Sequence, residues 1–569
     1  MKKNAWTVVG LFCVLMLFGL VTGSEAFFLD ENKSFEISAK AQTRATVRLQ
    51  DTDSEAKGTG FCFPDIKAGD FVQHRNLALV EIDHDLENLT KSLDVLYPFR
   101  ALGIDAKYHI VGRFLYDGIY DYGPEVLRKT RDADRENVDK FKQSYDLWEC
   151  YADLSRGPVF FRIGRQSLAW GETDIFRLLD GINPLDNTFG GPFEDLDDRR
   201  IPLWMLRSSL NLGLVGPISS LTLEGFIVPG KIDARVAPVA WLPDGGAYEP
   251  PVPRMEYPSY RLITPSRNWA ESRWGVRLQG LLGSDLNFAV AHYQSFLDAP
   301  FPRVQIDEEY LTQVGDSAIL LDNRAMQVWW EYPEVRVTGA SMNYFESMTN
   351  IVFRGEVSCS WNEPIFIPEI NMGTLRSTNP NDWTFVPQNA PWTWPEISKF
   401  LEPSTGVDLY EDMGWPGLPQ NPKGGTIPRK DILRYMIGFD KQIWIRPLNG
   451  KNMFFLSGQY FGQYVPGFDE RMRLQVHVQE SLKEFIKVKR FEHVFTLMVN
   501  SLYMKGSLQP QIAAAYDVRG AVLVQPSINY VREPFRFTIQ YSAILGKFVN
   551  FGVFRDRDQV SFMLTYLLS

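Results

Sequence analysis

An acidic segment, residues 168–200, carries eight carboxylates against three arginines. Its acidic members are Glu172, Asp174, Asp180, Asp186, Glu194, Asp195, Asp197 and Asp198, and its basic members are Arg177, Arg199 and Arg200. This irregular spacing matches no motif for catalysis or metal binding. The chemistry it suggests is electrostatic, because acidic groups that face basic groups set up a local field that discriminates between ions.

The rest of the sequence offers little support for catalysis. Its 6 His residues form neither His-x-His nor His-Glu-x-x-His, so we expect no zinc site. There is no Gly-x-Ser-x-Gly elbow and no Walker A motif, and the glycines at 58–60 lack a dinucleotide-binding context. We therefore predict that the protein is not an enzyme and has no cofactor. A hydrolase built from side chains of separate strands is the alternative.

The elements that must position these charges have a period of two. In residues 35–49 apolar side chains occupy odd positions and polar ones even positions, which predicts a long strand with one apolar face. Similar segments recur to the end of the chain. Their polar faces carry Lys40, Arg44, Arg48, Lys107, Arg113, Arg162, Arg277, Arg336, Arg354, Arg434 and Arg536, against Glu36, Glu149, Asp153, Glu224, Glu331, Glu356 and Asp440.

The connections between strands alternate between short and long. Short turns include 155–158 and 283–285, and long connections include 117–144, 168–200, 229–272, 297–325 and 362–430. This asymmetry is typical of an outer-membrane β-barrel, in which the sheet closes because the bilayer core offers no hydrogen-bond partners. We count 19 strands, but counts from the two ends place 362–430 at opposite rims, so one segment between 326 and 430 is miscounted.

Bacterial single-chain barrels have an even number of strands. We therefore predict an all-β, transmembrane antiparallel barrel of 18 strands, with a range of 16 to 20, short periplasmic turns and long extracellular loops. A soluble β-sandwich or propeller would also alternate. Repeated Arg on the polar face, aromatic residues near strand ends and the lack of a blade-length repeat argue against both.

The N-terminus predicts export. Two lysines precede an apolar run, and Ser24 and Ala26 provide a small-x-small cleavage site, so we expect a signal peptide at 1–26 and a single barrel domain at 27–569. Three cysteines remain after cleavage, so at most one pair forms. Cys150 and Cys359 fall on the apolar parity of strands, which favours unpaired wall residues.

Composition excludes several classes of protein. A mean hydropathy of -0.19 is too polar for a polytopic helical membrane protein. A net charge of -10 argues against a nucleic-acid partner. The final strand alternates to Leu568, like the strand that outer-membrane barrels present to the barrel-assembly machinery, although the usual final aromatic residue is missing.

Two long loops have candidate roles. The 168–200 loop could fold into the barrel as a constriction that faces the basic wall, or it could be an extracellular loop with solvated charges. The candidate pore residues are Arg44, Arg113, Arg162, Arg165, Glu172, Asp174, Arg177, Asp186, Arg277, Arg336, Arg354 and Arg434. The 362–430 loop, with Trp383, Trp392, Trp394 and Trp415, is either a lid or plug or an ordered extracellular loop.

Several short motifs occur in a fixed order: Gly164-Arg165-Gln166, Trp170-Gly171-Glu172 and Asn183-Pro184-Leu185-Asp186, with Tyr332-Pro333-Glu334 and Arg354-Gly355-Glu356 later. They resemble the GRQ…WGE…NPLD signature of a domain-of-unknown-function family of proteobacterial outer-membrane proteins. The resemblance covers most of the chain. It implies a porin-like barrel in the outer membrane of a Gram-negative bacterium, and proximity of members to lipid or steroid handling functions hints at hydrophobic cargo.

These observations predict an outer-membrane channel or transporter for small solutes or hydrophobic compounds. The alternatives are a membrane-embedded hydrolase and a structural or lipid-export partner barrel. The expected partners are outer-membrane lipid, the assembly machinery and a periplasmic lipid-handling or export system. The sequence sets no oligomeric state, and a trimer would follow by porin analogy alone.

Overall fold

The structure is a computed structural model. It describes residues 27–52, 65–86, 101–186, 188, 194, 196–239, 246–248, 259–306, 311–314, 318–321, 326–367, 370, 426–473 and 487–568. The predicted signal peptide, Cys62, Asp195 and the four tryptophans of the 362–430 loop lie outside these residues.

Eighteen strands form one closed antiparallel sheet. They are β1 Phe35–Arg48, β2 Phe71–Asp85, β3 Asp105–Asp117, β4 Gln143–Arg156, β5 Val159–Gln166, β6 Leu203–Val215, β7 Ile218–Val228, β8 Arg273–Leu282, β9 Leu286–Phe296, β10 Glu334–Glu346, β11 Ile351–Pro364, β12 Arg429–Ile443, β13 Phe454–Tyr464, β14 Phe491–Ser501, β15 Leu508–Asp517, β16 Ala521–Arg532, β17 Phe535–Gly546 and β18 Gln559–Leu568.

Each strand pairs with its neighbour in sequence, and β18 pairs with β1 from Ala39↔Leu568 to Arg48↔Gln559, which closes the barrel. A further short strand, Phe27–Phe28, pairs with β1. The prediction of an all-β barrel of 18 strands is confirmed. Closure leaves no edge of the sheet with unpaired backbone groups, which is the condition for crossing a bilayer.

The alternation of the strands separates two environments. On β11, Glu356 and Ser358 are buried, whereas Phe353 and Val357, which have the opposite parity on the same strand, are about 40% exposed on the outer surface. Large apolar side chains are exposed in the same way around the barrel, including Leu210, Val276, Val290, Ile437, Ile512 and Ile539. An apolar outer belt over a polar interior is the pattern expected of a barrel that faces lipid.

The connections follow the predicted asymmetry. One rim has the turns 157–158, 216–217, 283–285 and 533–534. The opposite rim has the long connections 118–142, 167–202, 229–272, 297–333 and 365–428. The 362–430 loop therefore lies on the long-loop side, as the count from the C-terminus predicted.

The miscounted segment is Met326–Glu331. It is a strand, but it belongs to a small separate sheet with Ser259–Ile263 and Phe301–Ile306. The placement of Glu331 on the barrel wall was therefore wrong, because its carboxylate pairs instead with Arg303 in this small sheet, at 2.6 Å. Another two-stranded sheet consists of Leu311–Val314 and Ala318–Leu321. Period two alone does not tell which sheet a strand joins.

Within the described residues, the helices are short and lie in connections. They are α1 Ile119–Tyr122, α2 Glu125–Ala133, α3 Arg135–Lys142 and α4 Leu196–Arg199, with 3-10 turns at Met504–Gly506 and Asn550–Phe554. Asp134 caps α3 by accepting a hydrogen bond from the backbone N–H of Asn137. Leu127 of α2 and Val138 of α3 are buried in one apolar cluster together with Ile119 and Tyr120 of α1. No helix in the described ranges is long and apolar enough to span a bilayer.

Cys150 and Cys359 are free thiols. Cys150 lies opposite Ile110 in the ladder, and Cys359 alternates with the lumen-facing Ser358 and Ser360, so both point to the outer face. This placement matches the expected unpaired wall residues.

Candidate functional site: a loop inserted in the barrel lumen

The connection between β5 and β6, residues 167–202, folds into the barrel and reaches the opposite wall. We call it the inserted loop. Its contacts are with β11, six strands around the barrel from β5, and with β1 and β2. The loop therefore crosses the lumen and narrows it.

Glu356 on β11 holds the first part of the inserted loop. Its carboxylate accepts hydrogen bonds from the backbone N–H groups of Glu172 (2.5 Å) and Leu179 (2.7 Å). Gly171 has φ of +130°, and a Cβ there would lie 3.1 Å from a Glu356 oxygen, so this close approach favours glycine. The carboxylate is 3% exposed, and backbone donors satisfy both of its oxygens.

Arg354 makes a second contact with the loop from the same strand. Its guanidinium donates to both carboxylate oxygens of Asp174, at 2.9 and 2.8 Å, and to the backbone carbonyl of Glu172 at 3.1 Å. It also donates to Asp440 and Ser457 on the wall, each at 2.9 Å. One arginine thus joins the loop to three wall strands with charge-assisted hydrogen bonds.

Glu194 anchors the other end of the loop in a buried charge cluster. Arg75 donates to its carboxylate at 2.8 Å, Arg44 makes a closer contact, and Gln73 donates at 3.2 Å. Its side chain is 1% exposed. Although burial disfavours the charged carboxylate, the two guanidinium groups outweigh it and lower the pKa of Glu194 to about 2.

The two ends of the loop are tied together by Asn183. Its side chain accepts a hydrogen bond from the N–H of Leu168 at 2.9 Å and donates to the carbonyl of Ile201 at 2.8 Å. Next to it, Trp170 is buried in edge-to-face contact with Phe226 and Tyr293, with centroid distances of 5.3 and 6.2 Å. The motif residues thus fix the base of the loop.

Ion pairs complete the inner part of the loop. Arg177 contacts Asp298 at 3.1 Å, and Arg200 contacts Asp180 at 2.5 Å. Burial raises the pKa of both Asp180 and Asp298, while the neighbouring arginines oppose the shift. Asp186 accepts from the hydroxyl and N–H of Thr188 instead of a wall base.

The other candidate pore residues lie along the wall and pair with wall residues, and among them Arg277 also lies over the ring of Trp170 in the inserted loop, 5.3 Å from its centroid. Arg162 pairs with Asp153, Arg277 with Glu224, and Arg434 with Glu363, all with bonds between 2.6 and 3.1 Å. Arg113 stacks over Trp148 at 3.9 Å. The prediction that Arg336 faces the lumen was wrong. Arg336 alternates with the buried Val335 and Val337, which line the lumen cavity, so it points to the outer face, where it lies opposite Trp361 and donates to Gln294 at 3.3 Å.

Arg165 was predicted to be a pore residue, but it lies on the outward-facing side of β5. It lies opposite Cys150 and Trp204 in the ladder, which face outward, and its guanidinium turns back to the backbone carbonyls of Leu147 and Pro202. These contacts are those of a group that fixes the strand end.

Arg75 was not among the candidate pore residues predicted from the sequence. On β2 the outward positions hold His74 and Asn76, whereas the inward ones hold Leu77 and Leu79, so polarity does not alternate cleanly there. Glu356 was recognised as an acidic wall residue, but its role as acceptor of loop amides has no signal in its own segment.

A cavity of about 940 Å³ remains beside the inserted loop. Its charged lining residues are Asp174, Arg177, Glu194, Arg199, Asp298, Glu363 and Arg434. Its uncharged lining comes from the loop, from Tyr293 and Phe296, and from β15 to β17, with Gln511, Ala513, Leu523, Gln525, Ser527 and Gln540.

Comparison with known proteins identifies the family. No curated protein sequence matches the chain. Pseudomonas aeruginosa OccK5 (OpdH) aligns over 94% of this chain and 98% of its own, with a TM-score of 0.41 and 8% identity. P. aeruginosa OpdK with vanillate aligns over 95% of this chain and 100% of its own, with a TM-score of 0.43 and 9% identity. Acinetobacter baumannii OccAB1 aligns over 96% of this chain and 99% of its own, with a TM-score of 0.42 and 10% identity. At such identities the likeness concerns the fold alone.

The family model described as "Protein of unknown function (DUF1302)" matches residues 7–568, nearly the whole chain. The resemblance to a domain-of-unknown-function family is thereby confirmed. A closed 18-stranded β-barrel with a loop folded into its lumen, this chain belongs to the DUF1302 family.

Proposed function

We propose that the protein is an outer-membrane channel for small solutes, in which the inserted loop forms the constriction. The observation that carries the proposal is the docking of this loop across the lumen through Glu356, Arg354 and Glu194, with a cavity of about 940 Å³ left beside it. That volume is in the range of sites for small organic molecules.

The charges around this cavity favour solutes without a net charge. Asp174 pairs with Arg354, Arg177 with Asp298, and Glu363 with Arg434, so each acidic group is neutralised by a nearby base. A closed ion pair has a short-range field, so it attracts a passing ion weakly. The basic wall predicted from sequence is compensated at the constriction.

The opposite side of the cavity supports the same conclusion. There β15 to β17 contribute amide, hydroxyl, Ala and Leu side chains, and the inserted loop contributes Phe176 and Leu178. Such a surface offers apolar contact and hydrogen bonds without charge. We therefore propose small, uncharged and partly apolar compounds as the solutes.

The test is swelling of proteoliposomes that contain the purified protein, with uncharged and charged solutes of matched size. We expect faster entry of the uncharged solutes. Leu523→Arg, which places an unpaired charge in the cavity wall, should slow their entry and raise anion selectivity in planar bilayers. Met348→Arg, at a turn position that is 90% exposed, is the control. Failure of the wild-type protein to admit any solute would contradict the proposal.

Outer-membrane location and export through residues 1–26 belong to the same proposal, supported by the apolar belt and the closed sheet. Engagement of the assembly machinery through β18 and association with a periplasmic lipid-handling system are proposed with it. Fractionation of cells that express the intact chain and a chain lacking residues 2–26 tests export, since only the intact chain should reach the outer membrane.

A further inference from the structure

Four side chains with metal-binding groups meet inside the barrel toward the short-turn rim. Asp83 on β2 lies directly opposite His109 on β3, and Glu81 and Glu149 lie on either side of Val111 in the same ladder. Side chains two residues apart on a strand share a face, so all four project into the lumen. Because three strands supply them, their spacing in sequence gives no metal-binding motif.

The geometry suits a bound cation. His109 Nδ1 lies 2.8 Å from Asp83 Oδ1 and 3.6 Å from Glu81 Oε1, and one ligand atom from each of the three residues lies within 4.8 Å of the others. Zinc bonds to nitrogen and oxygen are about 2.0–2.2 Å, which puts ligand atoms of a tetrahedral site roughly 3.4 Å apart. Small side-chain rotations suffice to bring these atoms to that spacing.

The imidazole is held in place independently of Glu81 and Asp83. Its ring stacks on Tyr151 with centroids 4.7 Å apart, and the guanidinium of Arg162 lies 3.9 Å from the Tyr151 centroid. Its second nitrogen, Nε2, lies 3.7 Å from Glu149 Oε2. A carboxylate behind the histidine is the usual arrangement in metal sites, where it orients the ring.

The charge balance of this cluster differs from that of the constriction. Three carboxylates surround one imidazole, and within the described ranges no Lys or Arg comes within ion-pair distance of Glu81, Asp83 or Glu149. The nearby Lys107 is paired with Asp85 at 2.8 Å, and Arg162 with Asp153. A bound cation would supply the missing positive charge.

We propose that Glu81, Asp83 and His109 bind a divalent first-row transition-metal ion, with Glu149 positioning the histidine. One imidazole with two carboxylates is a ligand set for such ions rather than for Mg²⁺ or Ca²⁺, which prefer oxygen alone. The side chains of Glu81 and Asp83 are 43% and 51% exposed, so the ion exchanges with the lumen and keeps positions open for water. The three ligands lie apart from the constriction and do not depend on the proposed function, although Glu149 also accepts a hydrogen bond from the backbone N–H of Ser167 at the base of the inserted loop, at 3.1 Å.

The experiment uses the full-length protein in detergent, stripped with a chelator and titrated with Zn²⁺ by calorimetry and with Co²⁺ by visible absorption. We expect one ion per chain and ligand-field bands for Co²⁺. His109→Gln should abolish saturable binding, Glu81→Gln and Asp83→Asn should weaken it at least about 10-fold, and Glu149→Gln should weaken it about 10- to 100-fold.

Two matched variants control for unspecific effects. His292→Gln removes a histidine on β9 that hydrogen-bonds Thr338, and Glu224→Gln removes a lumen carboxylate already paired with Arg277. Both should bind Zn²⁺ like the wild type. If His109→Gln fails to fold, Glu81→Gln and Asp83→Asn decide the question. Equal Zn²⁺ binding by the wild type and all cluster variants, or no binding by the wild type, would overturn the proposal.

Discussion

Replacing Glu194 by Gln should release the inserted loop from the wall. In the native protein the side chains of Arg44 and Arg75 are 8% and 2% exposed, and both contact this carboxylate. The variant removes the carboxylate that both buried guanidinium groups contact most closely, while Asp198 stays at 3.8 Å from Arg75 and Gln retains a hydrogen-bonding group at the same place. Removal of one partner from a buried ion pair typically costs about 3–5 kcal/mol.

That cost can be expressed as a change in loop docking. Since about 1.4 kcal/mol corresponds to a tenfold change in an equilibrium constant, the undocked population should rise roughly 100- to 4,000-fold. Trypsin measures this directly, because Arg199 and Arg200 are cleavable only when the loop leaves the lumen. Single-channel recordings should show a steady current in the wild type and flicker to larger conductance in the variant.

Two further variants separate burial from charge. Asp197→Asn removes a carboxylate that is 88% exposed and pairs with Arg200 at 3.0 Å, so it should change docking by less than about 1 kcal/mol. The triple variant Arg44→Met, Arg75→Met and Glu194→Gln removes the charges together and should recover much of the loss. Unchanged proteolysis and current in Glu194→Gln would refute the reasoning.

Three more predictions follow from the same structure. The pKa of Glu194 is lowered from its ordinary 4.5 to about 2. The carboxylate therefore stabilises the fold fully above pH 4.5 and loses this effect as the pH falls to about 2. The difference in melting temperature between the wild type and Glu194→Gln should shrink across that pH range. Gly171→Ala should weaken loop docking by about 1–3 kcal/mol in the trypsin assay, because the alanine would be strained at this φ and its Cβ would lie 3.1 Å from a Glu356 oxygen. Gly157→Ala, at a positive-φ turn where the Cβ meets open space, should weaken loop docking less. Val290→Arg on the lipid-facing surface should reduce stability in urea by up to about 2–4 kcal/mol, whereas Met348→Arg at an exposed turn should not.

The barrel could be predicted from sequence because each strand shows its apolar and polar faces within its own residues. The residues of β1 reveal their two faces by alternation, and the structure gives a strand with almost the same bounds, Phe35–Arg48. The segment Met326–Glu331 misled the count for the opposite reason. Its local pattern is that of a strand, and only tertiary contacts place it in a separate sheet.

The inserted loop was predictable in part. A constriction of acidic loop residues facing a basic wall was one of two alternatives, the other being an extracellular loop with solvated charges, and the structure brings Asp174 to Arg354 and Glu194 to Arg44. The degree of compensation could not be predicted, because it depends on which side chains meet across the lumen. Arg75 illustrates this limit, since its strand lacks a clear alternation and its partner lies 119 residues away.

The contacts of Glu356 also imply an order of events during biogenesis. The backbone N–H groups that donate to Glu356 lie 184 and 177 residues earlier in the chain. Strands β1 and β18 are joined by hydrogen bonds such as that between Gln42 and Thr565, which are 523 residues apart. Contacts so distant in sequence form late, because the chain between their ends must be ordered first. The contacts that dock the first part of the inserted loop therefore form only when β11 reaches its place in the wall, whereas the contacts of Glu194 with β1 and β2 do not depend on β11.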